Sequence, residues 1–368
     1  MAESCKERRA EIRKRLRVLV VKVGSNILTG ADGALSGRSF SRIARQIRRL
    51  RDEGVRVVLV SSGAIAAGRE RIGFGRRPLS LAQKQAAASA GQTALMGQWE
   101  KAFRRHGLGV AQILLTPSDI ADRERFTNLE RTVETLLSLG LVPVVNENDA
   151  VATFEIRFGD NDRLSAYVAG LVRAQCLLLL SDVDYLYTAD PRIDPEARPL
   201  PCVRHVNDRT LRMAGLSRSG LGTGGMSSKV GTAQWANGWG LPVGVLKGDL
   251  PTGIFRFFEG KTGTLFDTDR SLPSNRKIWI GQFSVPQGEL HLDAGAALAL
   301  RSGRTSLLGR GVASLSGDFL RGETILLKDP QGTEIARGIV RKSSRAIVPG
   351  EEGLLVHRND LVLSDPSP

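Results

Sequence analysis

The chain has 368 residues, of which 41% are hydrophobic and 24% charged, a composition typical of a folded globular protein with about two domains. Three scattered cysteines argue against a disulfide scaffold and against a structural zinc site. Apolar runs stay far below the roughly 18 residues that span a bilayer. Lys22 interrupts the VLVV run that follows the basic N-terminus, so we expect a cytoplasmic protein without a signal peptide or a membrane partner.

The net charge is +14 at pH 7, and most of the basic residues are arginines distributed along the whole chain. Such a charge favours polyanions, either nucleotide phosphates or nucleic acid. An arginine-rich solvated surface has the same composition. Charge alone therefore identifies no partner.

The first two thirds of the chain alternate between strand-like and helix-like patterns. Short apolar runs that end in Gly, Ser, Asn or Asp predict buried parallel strands at 16–24, 55–63, 110–116, 141–149 and 176–184. Amphipathic stretches, each followed or closed by a glycine, predict helices at 40–54, 82–106 and 123–139. This alternation predicts an α/β fold, a parallel-rich open sheet sandwiched by helices. Ligands of such sheets bind beyond the carboxyl ends of the strands.

The pattern changes after residue 266. A polar segment with Pro273 suits a linker, and glycine-rich turns then separate short strand-like segments, as in a small β-barrel. These segments are RKIWIGQF, GELHLD, ETILLKD, EIARGIVR and GLLVHRNDLVL, with one predicted helix at 294–301. We therefore predict an α/β domain at 14–266, a linker at 267–275 and a β domain at 276–368.

The segment SGLGTGGMSSK, residues 219–229, formally contains GxGxxG. It does not follow the first strand and lacks the GK[ST] ending, so neither a dinucleotide fingerprint nor a Walker A loop is present. A helix starting near Met226 would place Lys229 in its first turn. Backbone N–H groups there, together with one lysine, would suit a polyphosphate; a flexible surface loop is the alternative.

Polar residues also follow several of the predicted strands. Lys22 ends the first, Ser61 to Gly63 end the second, Asn146 to Asp149 end the fourth, and GDND follows at 159–162. Taken singly, such residues are often edge lysines, turns or helix caps. Together they converge on one sheet edge, with no His or Cys placed as nucleophile or base. Phosphoryl transfer mainly needs charge neutralisation and alignment, so the inventory favours a kinase.

Seven segments in order carry a resemblance over residues 17–266: VVKVGSN, SSGAIAAGRE, DRERFTN, PVVNENDAVAT, GDNDRLSA, LLLSDVDYLYTADPR and SGLGTGGMSSK. The chain resembles the amino acid kinase family, and within it the branch that phosphorylates the γ-carboxylate of L-glutamate. The C-terminal segment resembles a PUA domain, so the resemblance implies an amino acid kinase fold followed by a PUA-like β-barrel.

The resemblance also implies roles for individual residues. Lys22 and Lys229 would hold the γ-phosphoryl group of ATP, and Asp162 would orient both lysines. The ATP pocket would comprise Lys22, Ser181, Asp182, Thr223, Gly224, Gly225, Met226, Ser227, Ser228 and Lys229. Glutamate would be bound by Ser62, Asp149 and Asn161, with Asn146 and Asp160 as second contacts. Mg²⁺ would accompany ATP, bound mostly by phosphates and water.

Further expectations follow from the same resemblance. The product would be γ-glutamyl phosphate, the entry to proline biosynthesis, with proline as feedback inhibitor at the glutamate site. A homodimer or homotetramer is expected, and a downstream glutamyl phosphate reductase is a candidate partner. The alternatives are a kinase for another small acid (aspartate, N-acetylglutamate or carbamate) and an RNA-binding accessory protein.

Two positions depart from the family pattern. Tyr185 replaces a usual glycine, which would strain the chain if that turn requires a positive φ. The C-terminal domain lacks a helical stretch after residue 349, which puts RNA binding in doubt, and we do not expect nucleic acid as a partner.

Overall fold

The structure is a computed structural model that describes residues 2–30, 32–75, 77–151, 160–215, 225–303 and 305–364. It divides into two compact units, Met1–Asp119 with Thr127–Leu272, and Ile120–Phe126 with Pro273–Pro368. The domain boundaries given above remain a prediction. Among the described residues, no helix combines the length and the apolar composition needed to cross a membrane.

The first unit is built on an eight-stranded sheet with the order β3-β4-β2-β1-β5-β9-β10-β8. Neighbouring strands are parallel except at the β9–β10 pair. The five strands predicted from apolar runs are confirmed as β1 to β5. The strands of this unit are β1 Val18–Val23, β2 Arg56–Ser61, β3 Val110–Leu115, β4 Val142–Glu147, β5 Cys176–Ser181, β6 Leu186–Tyr187, β7 Pro199–Leu200, β8 Cys202–Val203, β9 Val243–Lys247 and β10 Thr264–Phe266.

Helices connect these strands, and the three predicted from amphipathic patterns are confirmed as α3, α5 and α7. The helices up to residue 258 are α1 Ala2–Arg15, α2 Ser25–Leu28, α3 Gly37–Asp52, α4 Ala64–Arg71, α5 Leu81–Arg104, α6 Pro117–Ala121, α7 Arg123–Ser138, α8 Asn161–Leu171, α9 Asp208–Met213, α10 Met226–Gly238 and α11 Gly253–Phe258.

The middle of the sheet lies in the hydrophobic core. Strands β1 and β5 are buried along their whole length, as expected for parallel strands covered on both faces. Helix α3 buries Phe40 against Trp99 of α5, with ring centroids 4.5 Å apart. Lys22 is thus a charged residue inside a fully buried strand, which is costly unless the charge is paired.

The basic N-terminal segment forms α1 and packs within the first unit. Arg9 is 1% exposed, and its guanidinium donates hydrogen bonds to the carbonyl oxygens of Pro201, Phe257, Thr262 and Gly263. It also lies 4.4 Å from the centroid of the Phe257 ring. This arginine is therefore a structural residue, and its buried guanidinium is not accessible to a polyanion.

The second unit contains a five-stranded sheet with the order β13-β11-β14-β15-β17. The predicted helix at 294–301 is confirmed as α13. The elements of this unit are α12 Asn275–Ile278, a π-helical turn Trp279–Phe283, β11 Gly288–Leu292, α13 Ala294–Arg301, β12 Leu307–Leu308, β13 Val312–Ser316, β14 Thr324–Lys328, β15 Glu334–Ile339, β16 Leu354–Val356 and β17 Leu361–Leu363.

The strand predicted at RKIWIGQF is wrong, because residues 275–283 are helical. Ser274 caps the turn by accepting a hydrogen bond from the backbone N–H of Lys277. Trp279 is anchored through its indole N–H, which donates to the carbonyl oxygen of Ile120 at 3.1 Å. Tertiary packing of the aromatic residue therefore overrides a local pattern that favours a strand.

Two glycines allow α4 and α5 to cross at very short range. A Cβ atom at Gly68 would lie 1.7 Å from the carbonyl oxygen of Ala87, and one at Gly91 would lie 1.9 Å from that of Ala64. Backbone atoms occupy both positions, so no side chain other than hydrogen fits. Because α4 begins directly after β2, this crossing fixes α5 against the carboxyl edge of the sheet.

We expect Gly91→Ala to lower the free energy of unfolding by about 1–3 kcal/mol, because the added methyl group forces the two helices apart. Gly97→Ala on the same helix is the control. Its Cβ atom would meet nothing within 4 Å, so alanine should be neutral or stabilising by about 0.5–1 kcal/mol through its helix propensity. Urea denaturation measures both, and equal effects of the two substitutions would contradict the close crossing.

Candidate active site

Two lysines share one carboxylate at the carboxyl edge of the sheet. The Nζ atom of Lys22 lies 2.6 Å from Oδ1 of Asp162, and that of Lys229 lies 3.1 Å from Oδ2. Lys22, Lys229 and Asp162 are 4%, 6% and 0% exposed. We call this arrangement the lysine pair with its shared carboxylate.

The three residues come from three different elements. Lys22 is the fifth residue of β1, Asp162 lies in the first turn of α8, and Lys229 lies in the first turn of α10. Asp160 caps α8 by accepting a hydrogen bond from the backbone N–H of Asp162 at 3.1 Å. The cap sets the entry of α8 and therefore the position of the shared carboxylate.

The ionisation of Asp162 results from two opposing effects. Burial raises the pKa of Asp162, but the ammonium groups of Lys22 and Lys229 outweigh it and hold the pKa below its ordinary value. The carboxylate therefore remains ionised at neutral pH. It can orient and screen the two ammonium groups, but it is poorly suited to removing a proton.

Asp160 lies beside the lysine pair. Its carboxylate accepts a hydrogen bond from the Ser228 hydroxyl at 2.7 Å and lies 3.7 Å from Nζ of Lys22. It does not belong to the residues that line the neighbouring cavity. The structure thus places this predicted glutamate contact nearer to the lysines than to the cavity.

Of the predicted nucleotide residues, Ser181 and Asp182 lie at the end of β5, and Gly225 to Lys229 lie at the start of α10. Burial raises the pKa of Asp182, but hydrogen bonds from Asn26 and Ser181 hold it below its ordinary value. Gly225, with φ of 101°, opens α10 in a backbone conformation that favours glycine. The predicted residues Met226, Ser227 and Ser228 form the first turn of α10 and are half-buried. Thr223 and Gly224 lie outside the described residues.

A cavity of about 350 Å³ opens next to the lysine pair. Four of the predicted glutamate contacts line it, namely Ser62, Asn146, Asp149 and Asn161. The remaining lining residues are Ser25, Gly63, Ala64, Ile65, Ala66, Arg69 and Glu147. The cavity thus combines carboxylates, amides, two hydroxyls and one guanidinium.

Hydrogen bonds tie the polar wall of this cavity together. The side-chain amide of Asn161 donates to the Ser62 hydroxyl oxygen at 2.9 Å and to Oδ1 of Asn146 at 3.0 Å. Asn146 in turn donates through Nδ2 to Oε1 of Gln92 at 3.0 Å. Below Ser62, the indole N–H of Trp99 donates to the Ser61 hydroxyl oxygen at 2.8 Å. The wall is therefore held in one arrangement from several sides.

Sequence reasoning missed two residues of this site, Arg69 and Gln92. Arg69 lies on α4 four residues after Ile65, and both line the cavity. Helical spacing in SSGAIAAGRE would have placed Arg69 on the cavity side once the helix start after Gly63 was known. Gln92 carries no such signal, because its contact with Asn146 depends on how α5 packs.

The strain considered for Tyr185 is absent. Among the described non-glycine residues only Arg173 has a positive φ, so Tyr185 occupies an ordinary backbone conformation. Its hydroxyl donates to the carbonyl oxygen of Lys261 at 3.4 Å. The position therefore accepts a tyrosine without a left-handed turn.

Comparisons with known proteins agree with this architecture. The model of the amino acid kinase family matches residues 17–242, and that of the PUA domain matches residues 288–360. The carbamate kinase of Giardia lamblia, solved with AMP-PNP, superposes with a TM-score of 0.50 at 16% identity, covering 69% of this chain and 99% of that protein. This likeness shows a shared fold, a large mostly parallel sheet with helices.

Sequence relatives are much closer. A protein of Meiothermus ruber named glutamate 5-kinase is 48% identical over 329 residues, covering 89% of this chain and 86% of the relative. Another of that name from Geobacter metallireducens is 43% identical over 352 residues, covering 95% and 93%. The chain belongs to the amino acid kinase family, and within it to the glutamate 5-kinases.

Proposed function

We propose that the chain transfers the γ-phosphoryl group of ATP to the γ-carboxylate of L-glutamate, forming γ-glutamyl phosphate and ADP. The observation that carries this proposal is the lysine pair with its shared carboxylate, next to a cavity lined by polar and charged groups. An oxygen of the γ-carboxylate attacks the γ-phosphorus, and the bond between that phosphorus and the β–γ bridging oxygen breaks.

Lys22 and Lys229 supply the positive charge that this transfer needs. An ammonium group has three N–H donors. Lys229 uses one on Asp162 and one on the carbonyl oxygen of Gly225, at 3.1 and 3.2 Å; its contacts with the described residues thus leave one donor for a phosphoryl oxygen. Negative charge on the transferring group is stabilised by such fixed donors without reorganisation.

Asp162 acts as the orienting group. The carboxylate nucleophile is already deprotonated at pH 7, so the reaction needs no general base. An ionised Asp162 holds the two ammonium groups in fixed positions on either side of the phosphoryl group. Asp160 supports this arrangement from the cap of α8.

The cavity suits a small zwitterionic amino acid. Asp149 is the natural partner of the α-ammonium group, and Arg69 that of the α-carboxylate, as charge complementarity requires. Ser62 and Asn161 offer further polar contacts, with Asn146 behind them. In this orientation the γ-carboxylate faces the lysine pair.

ATP would lie at the start of α10 and the end of β5, against Ser181, Asp182 and residues 223–229. The N-terminus of α10 offers backbone N–H groups to phosphates. Mg²⁺ would accompany the nucleotide, held mostly by phosphate and water oxygens, since no cluster of three or more His, Cys, Asp or Glu residues in the described ranges is arranged to hold a metal.

Membership of the family supports further parts of the proposal. The product would enter proline biosynthesis, and proline would act as feedback inhibitor in the glutamate cavity. We also propose a cytoplasmic homodimer or homotetramer, with an α/β kinase domain at 14–266 joined through 267–275 to a shortened PUA domain.

Hydroxylamine trapping of the acyl phosphate tests the proposed reaction. Purified protein with Mg-ATP should form hydroxamate from L-glutamate and far less from aspartate or N-acetylglutamate. Glutarate, which lacks the α-ammonium group, should also react poorly, because Asp149 would lose its partner. If only N-acetylglutamate or only aspartate gave hydroxamate, that acid would be the substrate in place of glutamate. If no acid gave hydroxamate, the kinase assignment would be refuted.

Lys229→Met should lower kcat at least about 100-fold, because a donor to the transferring phosphoryl group is lost. The fold should remain, since Lys22 still pairs with Asp162. Lys261→Ala is the control, a lysine with a 64% exposed side chain paired with Glu259, and it should leave kcat unchanged. A Lys229→Met protein that fails to fold, or that keeps full activity, would contradict the role given to Lys229.

A further inference from the structure

Gln92 occupies a position fixed by the crossing of α4 and α5. It follows Gly91, the glycine that approaches the carbonyl oxygen of Ala64 so closely that no Cβ fits. At this crossing the side chain of Gln92 reaches the end of β4 and contacts Asn146. Its position along α5 is therefore tied to backbone packing.

Two contacts hold the Asn146 amide in one orientation: its Oδ1 accepts from the backbone N–H of Glu147 at 2.9 Å, and its Nδ2 has Gln92 as acceptor. Asn146 donates through Nδ2 to Oε1 of Gln92 at 3.0 Å, and its Oδ1 accepts from Nδ2 of Asn161 at 3.0 Å. If the Asn146 amide were rotated by 180°, its N–H₂ group would face the N–H₂ group of Asn161, and two donors would oppose each other. Asn146 is 3% exposed, so water cannot relieve such a mismatch and the unpaired groups would be costly.

The orientation is passed on to the cavity. Both N–H groups of Asn161 are used within the protein, on Asn146 and on the Ser62 hydroxyl oxygen, with a longer contact to the carbonyl oxygen of Ser61. Asn161 therefore offers its carbonyl oxygen, an acceptor, to a ligand. Ser62 accepts from Asn161 and so keeps its own O–H as a donor.

The Asn161 acceptor and the Ser62 donor match the α-ammonium and α-carboxylate groups of an amino acid. A carbonyl oxygen suits an ammonium group, and a hydroxyl hydrogen suits a carboxylate. We propose that Gln92 is a positioning residue: as the acceptor for Nδ2 of Asn146 it holds, together with the backbone N–H of Glu147, the amide orientations of Asn146 and Asn161, and thereby the donors and acceptors offered to the amino acid. This inference rests on the proposed function, in which the cavity binds glutamate.

A double-mutant cycle tests the inference. The hydroxamate assay gives KM for glutamate and for ATP in wild type, Gln92→Leu, Asn146→Ala and the double variant, and thermal unfolding reports the fold. Gln92→Leu should raise KM for glutamate at least about tenfold and change KM for ATP less than about twofold. Because Gln92 acts through Asn146, the double variant should match Asn146→Ala alone.

Gln98→Leu, on the same helix with no contact to Asn146, is the matched control and should leave both KM values unchanged. Gln92→Met, which also lacks an acceptor, should repeat the result if Gln92→Leu folds poorly. Three results would overturn the inference: the factors by which the two single substitutions raise KM for glutamate multiply in the double variant, Gln92→Leu raises both KM values equally, or Gln92→Leu leaves KM for glutamate unchanged. Absence of glutamyl hydroxamate in the wild type would instead refute the proposed function.

Discussion

Two buried ammonium groups that share one buried carboxylate are the constraint on which this site depends. A lone charge at Lys22 inside a fully buried strand would be strongly unfavourable, and Lys229 adds a second. Asp162 contacts both ammonium groups at once, at 2.6 and 3.1 Å, and Asp160 adds a second carboxylate 3.7 Å from Lys22. Because the three residues come from β1, α8 and α10, the electrostatic balance also holds these elements at fixed positions. Contacts with the described residues leave Lys229 one N–H donor, and we propose that this donor binds a phosphoryl oxygen, so that one arrangement serves both stability and function.

The amino acid cavity is organised by different means, namely close backbone packing and directed amides. Glycines at 68 and 91 let α4 and α5 meet at backbone distance, which places the start of α4 and the side chain of Gln92 on opposite sides of the same polar wall. The two halves of the site differ in charge, with the ammonium groups in the half where we propose that the phosphates bind and with acidic and amide groups in the half proposed for the amino acid. The two regions meet at α8, whose first turn carries Asn161 and Asp162 next to each other.

Local patterns in the sequence sufficed for much of the fold and for part of the site. Lys22 and Lys229 could be expected near one edge because one ends a strand and the other starts a helix, and parallel strands align their carboxyl ends. Gln92 could not be found this way, since its partner lies 54 positions away and the contact exists only through helix crossing. Residues 276–283 were predicted as a strand because their apolar spacing is compatible with one. The packing of Trp279 stabilises a helical conformation instead. Arg9 looked like surface charge, although four carbonyl oxygens surround it.

The most direct measurement is the free energy of unfolding of wild type, Asp162→Asn, Lys229→Met and the double variant, by urea denaturation across pH. At pH 7 Asp162→Asn should lower the free energy of unfolding by about 3–5 kcal/mol, because Lys229 loses its carboxylate partner and Lys22 keeps only the longer contact with Asp160; Lys229→Met should restore part of that loss. The pKa of Asp162 is lowered in the fold, so its contribution is present above about pH 4 and disappears as the pH falls through the lowered pKa. The difference in free energy of unfolding between wild type and Asp162→Asn should therefore shrink as the pH falls. Two results would contradict a shared carboxylate as the organising interaction. One is that the losses in free energy of unfolding add up in the double variant, and the other is that the difference between wild type and Asp162→Asn does not change with pH.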